Sequence, residues 1–494
     1  MKKIVISTFA IAALFCTASC DTDFDTDVSS IAVTNGEADF SKYVALGNSL
    51  TSGYRDNALY IDGQMESFPS MLAQQMKMAG GGEFKQPLMS DNLGGIPAVG
   101  VGNKLVLGVN SAGALSPVPA QGTGATTLAS IYGSGPYQNM GVPGAKSFHL
   151  LAPGYGSAAG LQTGTANPYF VRFASSATTS VLQDAMAQSP TFFSLWIGNN
   201  DVLGYATSGG DGSNPLTSEE MFTQAYTALV TTLTSNGAKG VVANIPDVTA
   251  IPFFTTVPYN PVPLDGASVT ALNQQVFGPL KQILTAYGEG ARFNLVKESQ
   301  NPLLLKDESL KDYSVQITTA LVGAGVPAQQ AGLMGILYGQ ARHATSADLI
   351  PLATSSVIGT KPSSPYAQAP FDKYGATFPL EDKHVLTVTE KNEVLAATAK
   401  FNSVIKSMAT SKGLAFVDAN AKMIELSKSS GLQFDGVKYT STFVTGGTFS
   451  LDGVHLTGRG YAVIANEFIR SINRQYKSTL PMVNVNKYAG VTFP

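Results

Sequence analysis

Four short apolar runs, each stopped by a turn residue and separated from the next by helical patterning, restrict this chain to an α/β architecture. Tyr43-Val44-Ala45-Leu46 stops at Gly47, and Thr191-Phe192-Phe193-Ser194-Leu195-Trp196-Ile197 stops at Gly198. Gly240-Val241-Val242-Ala243-Asn244-Ile245 stops at Pro246, and Leu414-Ala415-Phe416-Val417 at Asp418. Runs that are apolar without alternation belong to strands buried on both faces, the mark of a parallel sheet. Thr217 with Glu220, and Thr387 with Glu390, read as capping boxes ahead of residues at helical spacing, and a last helix starts near Tyr461. Strands alternating with helices predict a central parallel sheet covered by helices on both sides. In such a fold the sites lie at the carboxyl edge of the strands.

Two stretches break this rhythm. Residues 80–135 are rich in Gly, Ala, Ser and Pro, and residues 252–385 carry several Pro breaks with short helical pieces. Each is too long for a structureless loop, so each is expected to fold as an insertion packed over the sheet. The reading is one domain over 41–475 with two elaborations and a tail at 476–494. Phe253, Phe254, Leu303, Leu304, Leu305 and Leu333 in the second stretch form either a lid over a site or a structural layer, and the layer is preferred.

Lys2 and Lys3, an apolar stretch from Ile4 to Phe15 and the small residues Thr17-Ala18-Ser19 before Cys20 form a secretory signal over 1–19, too short for a spanning helix. The stretch resembles a bacterial lipoprotein signal, although Thr17 stands where an aliphatic residue is usual. That resemblance implies lipidation of Cys20, with simple secretion as the alternative. The chain's two cysteines, Cys16 and Cys20, both lie at this signal, so a disulfide framework is excluded. Asp21, Asp23, Asp25 and Asp27 form an acidic tether within 20–40, similar to those of surface lipoproteins of Bacteroidetes-type bacteria, or simply a solvated linker. The expected place is the outer membrane, at the cell surface or on the periplasmic face. With a net charge of −3 and no Lys/Arg block, the electrostatic footprint of a nucleic-acid binder is absent.

Ser49 follows the first strand in Gly47-Asn48-Ser49-Leu50-Thr51. A serine hydroxyl becomes nucleophilic only when a base takes its proton, and a strand-to-helix turn presents it beside free backbone N–H groups. Asp452-Gly453-Val454-His455 precedes the last helix, a spacing that lets a carboxylate orient an imidazole within one turn. Glu381 and His384 share that spacing but sit in a charged, solvated run, whereas His455 sits in an uncharged one. His149 and His343 lack such an acid, and the scattered histidines suit no metal site. Gly198-Asn199-Asn200-Asp201 and Asn139-Met140-Gly141-Val142-Pro143-Gly144 offer an amide and a backbone N–H to a developing oxyanion, or serve only as turns.

Taken together and in this order, the four segments resemble the blocks of the SGNH/GDSL hydrolase superfamily, over roughly 41–80, 136–250 and 386–475. The resemblance selects His455 over His384 and implies a flavodoxin-like three-layer α/β/α fold without a cofactor. It implies Ser49 as nucleophile, His455 as base and Asp452 as its orienting acid. The oxyanion donors would be the N–H groups of Ser49 and Gly144 and the side-chain amide of Asn200. Asn48 departs from the acidic residue common before the nucleophile, and Leu456 from the proline common after the histidine. The implied activity is hydrolysis of a small-molecule, lipid or acylated-glycan ester through an acyl-enzyme. The competing reading is a non-catalytic surface lipoprotein that binds glycans or scaffolds partners.

Overall fold

In the structure, a computed structural model describing residues 32–109 and 113–493, the four apolar runs lie side by side as strands. The signal segment, Cys20 and the acidic residues after it lie outside the described residues. The strands are β1 (Tyr43–Gly47), β3 (Phe192–Trp196), β4 (Lys239–Ala243) and β5 (Ala415–Val417), joined by β2 (Asn139–Gly141), which the apolar runs do not predict. All pairings are parallel, in the spatial order β2-β1-β3-β4-β5. This is the flavodoxin-like order, whose switch point lies between β1 and β3.

Helices cover both faces. Below β1, α1 (Ser49–Ser52) is a single turn and α2 (Phe68–Met78) packs on the last helix, α7 (Gly458–Tyr476). Phe68 stacks on Phe468 with ring centroids 4.7 Å apart, and Trp196 meets both rings from the sheet. On the other face α3 (Asn199–Thr207), α4 (Glu219–Leu233) and α5 (Val388–Ser411) pack together, with Phe222 stacked on Phe401 at 4.1 Å. Another helix, α6 (Ala419–Ser427), follows β5. The fold is therefore a three-layer α/β/α sandwich. In α7 the buried Tyr461, Ile464, Phe468, Ile469 and Ile472 recur at helical spacing, and each apolar side chain stabilises by about 1.5–3 kcal/mol when taken from water.

The box at Thr387 forms as expected, with Thr387 N–H and Oγ both donating to Glu390. The one at Thr217 does not. Ser218 caps α4 instead, accepting from Met221 N–H, while Thr217 is buried and its N–H donates to the Asp201 carbonyl at 3.0 Å. Thr217, held against the first turn of α3, lies one residue outside the cap.

The two long stretches differ. Residues Val262–Val385 build a hydrophobic cluster of their own, in which Leu303, Leu304 and Leu305 are fully buried. Arg342 holds Asp307 at 2.6 Å and Asp348 at 2.7 Å, and Asp348 also accepts Val388 N–H, fastening this layer to the start of α5. Phe254 belongs to the main core and Phe253 packs on it. Leu303, Leu304 and Leu305 thus form a structural layer. The first stretch contributes a hairpin of Leu105–Val109 with Leu115–Pro119, exposing Val109 and Leu115. Among the described residues no helix is long and apolar enough to cross a membrane.

Candidate active site

At the carboxyl end of β1 the chain must turn within one residue. A Cβ at Gly47 would lie 2.1 Å from Thr51 Oγ1 and 2.4 Å from the Trp196 carbonyl, so only glycine allows α1 to start this close to β3. Asn48 then caps α1 by accepting from Leu50 N–H at 3.0 Å, and its amide donates to Asn199 Oδ1 at 3.3 Å, linking the ends of β1 and β3. Ser49 is consequently held at the switch point, 8% exposed.

From the opposite end of the sequence, the loop before α7 brings His455 to Ser49. His455 Nε2 lies 2.9 Å from Ser49 Oγ, and His455 Nδ1 lies 2.9 Å from Asp452 Oδ2. The second oxygen of Asp452 accepts the N–H groups of Val454 and His455, both at 2.8 Å, and the Ser450 hydroxyl at 3.1 Å. Burial pushes this carboxyl up, but the adjacent imidazole and these backbone donors outweigh it and hold Asp452 well below the usual carboxylate range. An ionised Asp452 fixes Nδ1 as the protonated ring nitrogen, leaving Nε2 free to accept from the serine.

The other two segments arrive at the same edge. Gly144, within the turn that follows β2, has φ +81° and open space where a side chain would stand. Asn200 lies in the first turn of α3, and its amide donates to the Ala145 carbonyl at 2.9 Å. An amide carries two donors, so one N–H remains. Among the described residues the N–H groups of Ser49 and Gly144 meet no hydrogen-bond acceptor. Asp201 joins the two segments: buried, it accepts the Ser147 N–H at 2.8 Å and the Ser147 hydroxyl at 2.7 Å. Its burial raises the carboxyl above the ordinary value, with the Ser147 bonds opposing.

His384, the rival histidine, is not part of this arrangement. Its ring meets Tyr374 edge-on at 5.4 Å, while Glu381 is engaged by Tyr374 and Lys383. His149 accepts Lys146 N–H at 3.1 Å and His343 accepts Asn294 N–H at 2.9 Å, both structural contacts. Sequence reasoning assigned no role to three neighbours: Asn57, whose N–H donates to Asp452 Oδ2 at 2.8 Å; Asn139, whose buried amide ties β2 to the Thr51 carbonyl; and Tyr54, whose ring lies 4.7 Å from that of His455. An apolar cavity of about 80 Å³ is lined by Leu50, Trp196, Met423, Leu426, Val454 and Leu456, and not by Ser49 or His455 themselves. Leu50 follows Ser49, and Val454 and Leu456 flank His455.

No family model matches the chain, and no curated protein matches it in sequence. Among solved structures it is similar to a mutant of Axe2, an acetyl-xylooligosaccharide esterase from Geobacillus Stearmophilus, at 10% identity and a TM-score of 0.33. It is also similar to LAE5, an alpha/beta hydrolase enzyme from the metagenome of Lake Arreo, Spain, at 10% identity and a TM-score of 0.32. Each likeness covers 88% of this chain and 96% of the other. Likeness this remote bears on neither substrate nor mechanism.

Proposed function

We propose that this protein is a serine-dependent carboxylic ester hydrolase of the SGNH type. The observation that carries the reading is the continuous hydrogen-bonded chain from Ser49 through His455 to Asp452, with both links at 2.9 Å. Ser49 Oγ attacks the ester carbonyl as His455 Nε2 takes its proton. The tetrahedral oxyanion is met by the N–H groups of Ser49 and Gly144 and the remaining N–H of Asn200. His455 then gives the proton to the leaving alcohol. Water, deprotonated by the same nitrogen, hydrolyses the acyl-enzyme, and Ser49 recovers its proton. Replacing Asn200 by alanine is expected to lower kcat about 10²–10³-fold with a small change in KM, measured on a p-nitrophenyl ester, because the donor acts on charge that develops in the transition state.

The apolar cavity lined by Leu50, Val454 and Leu456, the chain neighbours of Ser49 and His455, is the candidate seat of an acyl chain. Activity is expected to rise from acetyl to short unbranched acyl esters and to fall again once the chain outgrows the cavity. A maximum at acetyl would instead favour deacetylation, as of a glycan.

An exported protein held by a lipid on Cys20 would carry this site away from its own bilayer. The described chain starts beside the far end of α7, where Thr34 bonds to Thr479 and Glu37 N–H donates to the Tyr476 carbonyl. His455 stands at the near end. The 19 residues of α7 separate the two by roughly 28 Å. The described residues thus begin at the end of the sheet opposite Ser49, which favours an ester that arrives from the aqueous side.

A further inference from the structure

The turn that follows α1 reaches back onto the His455–Asp452 pair. Arg55 and Ala58 exchange reciprocal backbone hydrogen bonds of 3.1 Å around Asp56 and Asn57, whose φ values are 53° and 61°. Two consecutive left-handed residues make a type I′ turn, for which Asp and Asn are favoured, and successive N–H groups of such a turn can converge on an anion. Here they converge on the catalytic loop. Asp56 N–H donates to Ser450 Oγ at 2.9 Å, and Asn57 N–H donates to Asp452 Oδ2 at 2.8 Å. Oδ2 is the oxygen that faces His455 Nδ1, so the Asn57 bond fixes which way the carboxylate presents itself to the imidazole.

The turn is itself braced. The Asp56 carboxylate accepts Leu451 N–H at 3.0 Å and the Tyr60 hydroxyl at 2.6 Å, and Tyr60 in turn accepts from Arg55 Nε at 2.6 Å. Tyr54 donates its hydroxyl to the Asn57 carbonyl at 2.6 Å while its ring packs at 4.7 Å against His455. The first insertion joins in, with Leu105 N–H donating to the Asp56 carbonyl at 2.7 Å.

We propose that the Tyr54–Asn57 turn, clamped by the first insertion, is a positioning element that holds Asp452 and His455 in line with Ser49. This rests on the ester-hydrolase reading. Asn57→Pro removes the N–H and cannot adopt φ 61°, and is expected to lower kcat about 10- to 100-fold with KM nearly unchanged. The downfield proton NMR resonance of the His455–Asp452 hydrogen bond should be lost with it. Asn57→Gly keeps both the N–H and the positive φ, and should recover most of the lost kcat together with the resonance. If Asn57→Pro does not fold, Tyr54→Ala, which leaves that N–H in place but removes the ring and hydroxyl that brace it, decides the matter through a fall of about tenfold in kcat at constant KM. A folded variant of either kind with wild-type kcat and an unmoved resonance overturns the proposal. A wild-type protein without esterase activity, or one whose activity survives Ser49→Ala, overturns the enzymatic reading instead.

Discussion

Replacing Ser49 by alanine is expected to lower kcat on an activated ester about 10⁶-fold, with the fold and the binding of substrate retained. The size follows from how the three residues act as a unit: without the hydroxyl, His455 has no proton to take, and only the oxyanion donors and binding remain. Ser49 accepts no structural duty through its hydroxyl beyond the 2.9 Å contact with His455, so the loss falls on the chemistry and not on stability. A steady-state assay with purified variant, alongside a melting curve, separates the two.

The second large effect is expected for Asp452→Asn, about 10⁴-fold in kcat by the logic of an orienting acid. An asparagine can turn its NH₂ toward His455 Nδ1, which forces the proton to Nε2 and leaves that nitrogen unable to accept from Ser49. Stability changes with it, in a defined pH direction. Asp452 titrates below its unfolded value, so its contribution to stability is complete above the ordinary carboxylate range and disappears as pH falls through the lower folded value. The gap in melting temperature between wild type and Asp452→Asn is therefore expected to be widest near neutral pH and to close in strongly acid solution.

Much of the architecture can be read from residue patterns because the central strands are buried on both faces and α7 on one, and burial imposes continuous or periodic apolarity. The strand Asn139–Gly141 escapes such reading. It has three residues, begins with a polar side chain and lies at the sheet edge, so it carries no periodicity, and its buried Asn139 earns its place through hydrogen bonds to Thr51 and Gln86. The grouping of Ser49, Asp452 and His455 was legible only from four short segments read together, each at a strand end or a helix start, since the Asp-to-His spacing alone is shared by Glu381 and His384. Asn57 was not. Its contribution is a backbone N–H, which any residue but proline possesses, and the adjacent Asp56-Asn57 pair advertises a turn without indicating that Asp452 lies against it. Asp201 was visible in its segment, but its bond to Ser147 depends on how two loops meet in space.

Labelling with a fluorophosphonate, followed by mass spectrometry of the proteolysed protein, tests the central claim most directly. One adduct on the peptide containing Ser49, absent from Ser49→Ala and formed far more slowly in Asp452→Asn, is the expected result. An unlabelled wild-type protein, or an adduct on another serine with hydrolysis intact in Ser49→Ala, would contradict it.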